Sequence, residues 1–487
     1  MRRKGSDSLG GSTSWATHIT WGYIHNQRIT GVAAAAAAIL ALMMLVPLAI
    51  FVLQPFQVMY YRVDPELYET LAMGKPAYGY VSVVGDARLG LKPVKEWHFG
   101  KLHIYKVRIA SLDQLNKILS TPNVVSVYGE KTFRHPPLHF LSVEEYEEFR
   151  KVDIDNEFHR AYGPWCGRNV TVAIIDTGID YTHPDFFDEN NRSIVKVLVS
   201  MFYVWADSGE YVTWDLTENP NITELLEFDK QVWQEYGEPA FLDINGHGSH
   251  VAGIVAGRGW ASNGKFRGVA PCVELVVVKA FNKDGVASMD ACLEALEWIY
   301  NNTEKYGIKI LSLSWGASFA SDGNDPLSLA VDRLVEDKGV WVFVSAGNEG
   351  NLPTTITVPA VARRAFAVGA WDAYKDKLAP FSSLGPTIDM RMKPDLVASG
   401  VMVVSCKSQY VDFPDEYEVG QYYVALSGTS MAAPAAAAIA ADFIEYFRYW
   451  HGRDPTVEDF IKWIKNNGRR INLIMEKDFV TGWGIPI

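Results

Sequence analysis

The chain has 487 residues, with 45 Lys and Arg against 57 Asp and Glu and a formal net charge of −12. An apolar fraction of 48% and a charged fraction of 21% exclude wholesale disorder, and the acidic balance excludes nucleic acid as the main partner, because phosphate binding needs a basic surface. Four cysteines in a chain this long exclude a disulfide-dense scaffold, and none forms a CxxC pair of zinc-binding spacing.

In chain order, the first element is Gly31 to Leu53, 23 positions without a charge. A helix of that length rises about 34 Å, enough to cross a hydrocarbon core of ~30 Å. A buried core helix of this length would show one polar face, and this segment has none. A cleavable signal peptide is disfavoured, because the run starts thirty residues in and no small-x-small site follows it. Arg2, Arg3, Lys4 and Arg28 precede it with only Asp7 opposing, so residues 1–30 are expected in the cytoplasm and everything after Leu53 outside. That location permits disulfides among Cys166, Cys272, Cys292 and Cys406, with three pairings open. Four N-x-S/T sequons, at Asn169, Asn191, Asn221 and Asn301, leave glycosylation open.

From about Tyr78 the segments AYGYVSVVG and KLHIYKVRI predict strands. SLDQLNKILS predicts a helix, with Ser111 and Gln114 as a capping box and Leu112, Leu115, Ile118 and Leu119 on one face. Pro122 stops it, and NVVSVYG predicts another strand, so this region is a compact α+β domain. The charged stretch from Glu130 onward is expected to be a linker or an exposed helix.

After Asn169 strands and helices alternate. VTVAIID, VELVVVKAF, KILSLSW and VWVFVSAGN are apolar, β-branched runs, and the helical segments between them imply a mainly parallel sheet covered on both faces. Such sheets carry their chemistry at the carboxyl ends of the strands. Four polar residues stand at such ends or at helix starts: Asp176, His247, Asn348 and Ser430. Singly, each has an ordinary reading as a turn, cap or core residue. Jointly, an acid, a base and a hydroxyl at Gly-flanked element ends are what nucleophilic catalysis requires.

The blocks IIDTGID, NGHGSHVAG, SAGNEG and SGTSMAAP, in that order, resemble the signature blocks of the subtilisin-like serine proteases. The resemblance runs from about Val152 to GWGIP and implies an α/β, three-layer αβα domain over residues 152–487. It also implies that residues 60–131 are similar to the family's propeptide, a ferredoxin-like α+β unit that assists folding and inhibits the enzyme, with self-cleavage in a linker at 132–151.

The implied roles follow residue by residue. Ser430 attacks the peptide carbonyl, His247 moves the proton, Asp176 holds the imidazole, and Asn348 donates to the oxyanion. Ser314, Trp315 and Gly316 match the segment that pairs with substrate backbone. Glu349 is expected at the mouth of the pocket for the residue before the scissile bond, where it would accept basic side chains. His250 is expected to be structural. No cofactor is required for the chemistry; a structural calcium ion is implied at Asp185, although GRGWASNGKFRG offers no partner carboxylate.

The partners implied are protein or peptide substrates, the chain's own propeptide and, through residues 31–53, a membrane. Self-cleavage between about Glu130 and Asp155 would release a soluble protease from an anchored zymogen. The alternative is a catalytically silent subtilisin-like module that binds peptides; a dinucleotide-binding protein ranks last, since no G-x-G-x-x-G follows the first strand. The separation of Asp176 from His247 implies an insertion at 186–246, which holds 12 acidic residues, 3 basic residues and 11 aromatics. It carries most of the chain's negative charge, and its aromatic content predicts packing rather than disorder.

Overall fold

The apolar runs become strands that are buried on both faces and covered by helices. The computed structural model describes residues 62–135, 141–143, 146, 164–201, 211–350, 352–470 and 477–486, and Tyr61–Ile487 form one compact unit. No helix among the described residues is long and apolar enough to cross a membrane. The segment 31–53, read from sequence as a membrane span, lies outside the described residues.

The N-terminal part of this unit comprises helix α1 (Pro65–Ala72), strands β1 (Ala77–Val84), β2 (Lys95–Phe99) and β3 (Leu102–Ile109), helix α2 (Leu112–Leu119) and strand β4 (Val124–Gly129). The sheet order is β2-β3-β1-β4, with every pairing antiparallel. Ser111 caps α2 by accepting the Gln114 N–H at 3.3 Å, as expected. The Gln114 side chain bonds the N–H of Ala110 at 2.7 Å, one residue short of the capping-box partner. The ferredoxin-like expectation is met only in part. A helix should link the first two strands, but β1 runs into β2 through residues 85–94, where two glycines and a proline break any helical period. Strand β2 was not foreseen.

The stretch read as a linker begins with a strand, β5 (Thr132–Arg134), which pairs outside its own domain. The larger part follows with β6 (Thr171–Asp176), β7 (Val195–Ser200), β8 (Val212–Asp215), α3 (Ile222–Tyr236), α4 (His247–Ala256), β9 (Glu274–Lys279), β10 (Val286–Ser288), α5 (Met289–Tyr306), β11 (Ile308–Leu313), α6 (Pro326–Lys338) and β12 (Trp341–Ser345). It ends with β13 (Phe366–Asp372), β14 (Lys377–Leu378), β15 (Leu396–Ser399), a small sheet of β16 (Val403–Cys406), β17 (Glu418–Val419) and β18 (Tyr423–Leu426), then α7 (Thr429–His451) and α8 (Val457–Asn467). The main sheet runs β14-β13-β12-β11-β6-β9-β7-β8, with β15 also on β13; β8 and β14 are antiparallel and the rest parallel.

Side chains alternate across each strand and so build two cores. Val172, Ile174, Leu275 and Val277 face α4 and α7, whereas Ala173, Ile175, Val276 and Val278 face α5 and α6. Fully burying one such Val, Leu or Ile contributes about 1.5–3 kcal/mol. The N-terminal sheet lies on the outer side of α5 and α6, where Tyr80, Trp97, Phe99 and Ile104 join the second core. The described residues of the acidic stretch, 186–201 and 211–246, are packed. Its strand β7 lies within the main sheet, and its helix α3 buries Asp229, which accepts from the Tyr181 hydroxyl and the N–H groups of Phe241 and Leu242.

Candidate active site

Asp176 ends β6, His247 opens α4, Asn348 follows β12, and Ser430 is the second residue of α7. Gly246 precedes His247 at φ 93°, a left-handed conformation that a Cβ disfavours, and it sets the ring at the helix start. His247 Nδ1 lies 2.8 Å from Asp176 Oδ1, and both side chains are buried. Asp176 also accepts the N–H of Thr177 at 2.8 Å.

Burial raises the Asp176 carboxyl to about 6, against the opposing pull of His135 and of the Thr177 donors. Burial lowers His247 to about 4, so the imidazole is neutral at physiological pH, as a general base must be. His250 stays structural: its Nε2 donates to the carbonyls of Val403 and Val424 at 3.0 and 3.1 Å.

Ser430 Oγ donates to the carbonyl of Ser314 at 3.0 Å, and Ser314 Oγ returns a bond to the Ser430 carbonyl at 2.8 Å. His247 Nε2 has no hydrogen-bond partner among the described residues. The carboxylate and the imidazole are therefore joined, while the Ser430 hydroxyl is bonded to the Ser314 carbonyl. Asn348 Oδ1 accepts from Thr429 N–H and Oγ1 at 2.9 and 2.8 Å. That grip orients the amide, and its Nδ2 would lie 3.1 Å from a Cβ at Gly428, so a larger residue there would press on the amide. Nδ2 and the start of α7 thus converge beside Ser430.

The predicted substrate segment behaves as a strand edge. Gly316 exchanges two backbone bonds with Arg134, at 3.1 and 3.0 Å, while β5 pairs antiparallel with β10 on its other side. His135 N–H donates to the Gly285 carbonyl at 3.2 Å. The Trp315 side chain lies beneath, fully buried, with its Nε1 donating to the Ile175 carbonyl at 2.9 Å. Phe133 packs edge-on against Trp315 with centroids 5.9 Å apart, and the His135 ring lies 3.9 Å from the His247 ring. Burial first, then the neighbouring His247, lowers His135 to about 3.

Around this strand remains a cleft of about 500 Å³, bordered by Lys131, His135, His247, Gly316 and Glu349. Glu349 also borders an adjoining pocket of about 330 Å³ and accepts from Ser318 Oγ at 2.9 Å.

Asp185 does not fit a calcium ligand. Its carboxylate is enclosed by donors, namely the Ala261 N–H at 3.0 Å, the Tyr423 hydroxyl at 2.8 Å and the Cys406 thiol at 3.8 Å. Its close companions are His183 and Cys406, whereas calcium takes a shell of oxygens.

Two site residues escaped the sequence reading. Asp243 accepts from Thr177 Oγ1, the N–H groups of Asn245, Gly246 and Ser249, and Ser249 Oγ, all within 3.0 Å, and so ties the end of β6 to the start of α4. Its signal was the DING turn just before His247. His135, in HPP, carried no signal of its own. One disulfide forms, Cys166–Cys272, while Cys292 and Cys406 are free and buried.

A carboxylate joined to an imidazole and a nearby serine, all at element ends of an α/β sheet, are the arrangement found in nucleophilic hydrolases. Residues 167–484 match the model of the subtilase family, so the chain belongs to that family of serine endopeptidases. It is 36% identical over 290 residues to Serine protease AprX of Bacillus subtilis (strain 168), over 56% of this chain and 57% of AprX. It is 33% identical over 277 residues to Subtilisin BL of Lederbergia lenta, covering 56% of this chain and 76% of that protein. Pyrolysin of Pyrococcus furiosus is 29% identical over 334 residues, 56% of this chain but 22% of its own length. The chain thus spans little more than half of AprX and about a fifth of pyrolysin. The structure of the Clostridium perfringens CspB protease is similar with a TM-score of 0.55 at 18% identity, over 68% of this chain and 95% of that one, a likeness of fold alone.

Proposed function

We propose that the chain is a serine endopeptidase made as a membrane-anchored zymogen that processes itself. The observation that carries this reading is the convergence of Asp176, His247, Asn348 and Ser430 beneath a strand of the chain's own N-terminal domain.

Catalysis needs one local change. Once His135 leaves, the Ser430 hydroxyl rotates from the Ser314 carbonyl to His247 Nε2, which stands ready with no partner among the described residues. The imidazole takes the hydroxyl proton as Oγ bonds to the peptide carbon. The carbonyl oxygen becomes an oxyanion, held by Asn348 Nδ2 and the Ser430 N–H. His247 then passes the proton to the leaving amine, and water resolves the acyl-enzyme by the same steps in reverse roles. Asp176 keeps Nδ1 protonated and stabilises the imidazolium. No step needs a cofactor.

Strand β5 acts as the template for substrate. An extended peptide would pair between β10 and Gly316, set an apolar side chain on Trp315, and direct the residue before the scissile bond toward Glu349, which favours basic groups there. Because β5 connects the domain at 62–129 to the protease, the uncut chain is self-inhibited. Cutting between about residues 130 and 155 would free the cleft and separate the protease from an anchor at 31–53. The Cys166–Cys272 bridge suits the oxidising side of a membrane.

The experiment is labelling with a serine-reactive fluorophosphonate, together with the size of the purified chain over time. The wild-type chain should shorten and then take the label, and Ser430→Ala should do neither, with a loss of peptidase activity of roughly 10⁶-fold. A folded, shortened wild-type protein that takes no label would leave the silent peptide-binding module as the correct reading.

A further inference from the structure

Two carboxylates, not one, are buried beside His247. Asp176 lies 2.8 Å from its Nδ1, and Asp243 stands on the turn just before α4; both are fully buried. A second buried carboxylate beside the first is costly unless donors surround it, so it requires an explanation.

Asp243 is ringed by donors. Its Oδ1 accepts the Gly246 N–H at 2.7 Å, the Thr177 hydroxyl at 2.9 Å and the Asn245 N–H at 3.0 Å. Its Oδ2 accepts the Ser249 N–H and hydroxyl, each at 2.8 Å. The three N–H groups cannot accept, and two of them belong to the start of α4, where negative charge is favoured. The cage therefore suits the ionised form. Burial pushes the carboxyl up, as does Asp176, while the Ser249 and Gly246 groups draw it back. From the other side Lys279 fixes the turn, its buried Nζ donating to the Leu242 and Pro239 carbonyls at 2.8 and 3.1 Å.

Thr177 joins the two carboxylates. Its Oγ1 lies 2.9 Å from Asp243 Oδ1 and 3.3 Å from Asp176 Oδ1, and it accepts the Gly248 N–H at 2.9 Å. A hydroxyl has one hydrogen to give, and the shorter distance assigns it to Asp243. The first turn of α4, which carries His247, is thereby fastened to the end of β6, which carries Asp176. A Cβ at Gly248 would collide with the Gly178 carbonyl, so the two elements touch directly there.

The groups facing His247 are Asp176 from β6, Asp243 from the turn, His250 in α4 and, in the uncut chain, His135 from β5. Burial lowers both His250 and His135 to about 3, so neither is charged at neutral pH. Lys279 faces Asp243.

On the reading of Asp176, His247 and Ser430 as a triad, we propose that Asp243 is its positioning residue. Through Thr177 and the first turn of α4 it fixes the imidazole against Asp176. Its buried charge favours the imidazolium that forms when Ser430 attacks. The base must be neutral, so the rate falls as pH drops through the His247 value. Burial lowers that value and Asp243 opposes it, so removing the charge moves the acid limb to lower pH.

The test is the rate of labelling by the serine-reactive fluorophosphonate across pH, which reads activation of Ser430 without a known substrate. Variants are processed in trans by tagged wild-type enzyme, which is then removed, and circular dichroism checks their folding. Asp243→Asn should shift the acid limb down by about one pH unit and lower the plateau roughly tenfold. Thr177→Val should lower the plateau roughly tenfold with the limb in place, and Thr177→Ser should restore it.

A folded Asp243→Asn enzyme with the wild-type limb overturns the proposal even if its plateau is lower, because a merely structural residue would lower the plateau alone. Where Asp243→Asn does not fold, the Thr177 pair decides: a loss restored by Ser supports the proposal, and a wild-type plateau in folded Thr177→Val overturns it. If wild type takes no label, the peptidase reading falls. The pH at which the His247 ring titrates by NMR then decides for Asp243: a lower midpoint in Asp243→Asn supports the proposal, and an equal one overturns it.

Discussion

Inside the protease, Asp395 is buried between two lysines. Its carboxylate meets Lys393 Nζ and Lys477 Nζ, each at 2.6 Å, and the Ala367 N–H at 2.8 Å. At the junction with the N-terminal domain the ion pairs are more exposed to water. Lys106 bridges Asp290 at 3.0 Å and Glu130 at 2.8 Å, and Tyr80 and Lys95 reach Asp290 and Glu294. There Asp290 is 19% and Glu130 57% exposed, so water can replace their partners. The first group is buried, and losing one member strands the others. The second can be rehydrated at small cost, as the separation that follows the proposed cleavage requires. At the cleft the N-terminal side contributes Phe133, which is fully buried, and His135, whose side chain is 8% exposed; the first lies on β5 and the second directly follows it.

The largest expected effect falls on the buried group. Asp395→Asn should destabilise the processed enzyme by about 3–5 kcal/mol in denaturant unfolding, because two lysines lose their counter-charge. Its pH dependence has a definite sign. The lysines hold the Asp395 carboxyl below its ordinary 3.8 despite burial. This stabilisation is complete above about 3.8 and is lost as pH falls through the lower folded value, so wild type should show an acid-side decline that the variant lacks.

Next in size is Asn348→Ala, for which kcat should drop by about 10²–10³-fold, with a loss of about 1–3 kcal/mol in unfolding because the buried Thr429 donors lose their acceptor. Inhibition of the processed enzyme by its released N-terminal domain should be unchanged, since β5 is held by Gly316, β10 and Trp315. The smallest effect is at the junction. Asp290→Ala removes the partner of Lys106 and Tyr80 and should weaken that inhibition by roughly tenfold, about 1–2 kcal/mol. The melting temperature of the processed enzyme should not move. Equal losses in domain affinity and in core stability would erase the distinction between the two regions.

The sequence made the chemistry easier to see than the architecture that restrains it. Asp176, His247, Asn348 and Ser430 stand out in the sequence because each is polar, lies within two residues of a glycine, and stands near the end of an apolar run or the start of a helix. The alternation of Val172, Ala173 and Ile174 between two cores was legible for the same kind of reason, a local period. His135 was not, because its meaning depends on β5 crossing into another domain and pairing with Gly316 and β10. Asp243 looked like a turn residue, and it is one; its second task of joining β6 to α4 exists only in three dimensions. The described parts of the acidic stretch are packed, in keeping with their aromatic content, but nothing local showed that Val195 to Ser200 form a strand within the main sheet. At Asp185 the reverse occurred. The HPD motif pointed to calcium, whereas its neighbours turned out to be hydrogen-bond donors, among them Tyr423, far off in sequence.

The Cys166–Cys272 bridge spans 106 residues, and Asp176, the acidic stretch and His247 all lie between its ends. A protease that meets other copies of itself is exposed to nicking, and a backbone cut anywhere in that interval would divide Asp176 from His247 or leave both on one side of the break. In either case the fragments stay tethered through sulfur. Such a nicked molecule would migrate at full length until a reductant is added, and it could keep its catalytic groups together after its backbone has been severed.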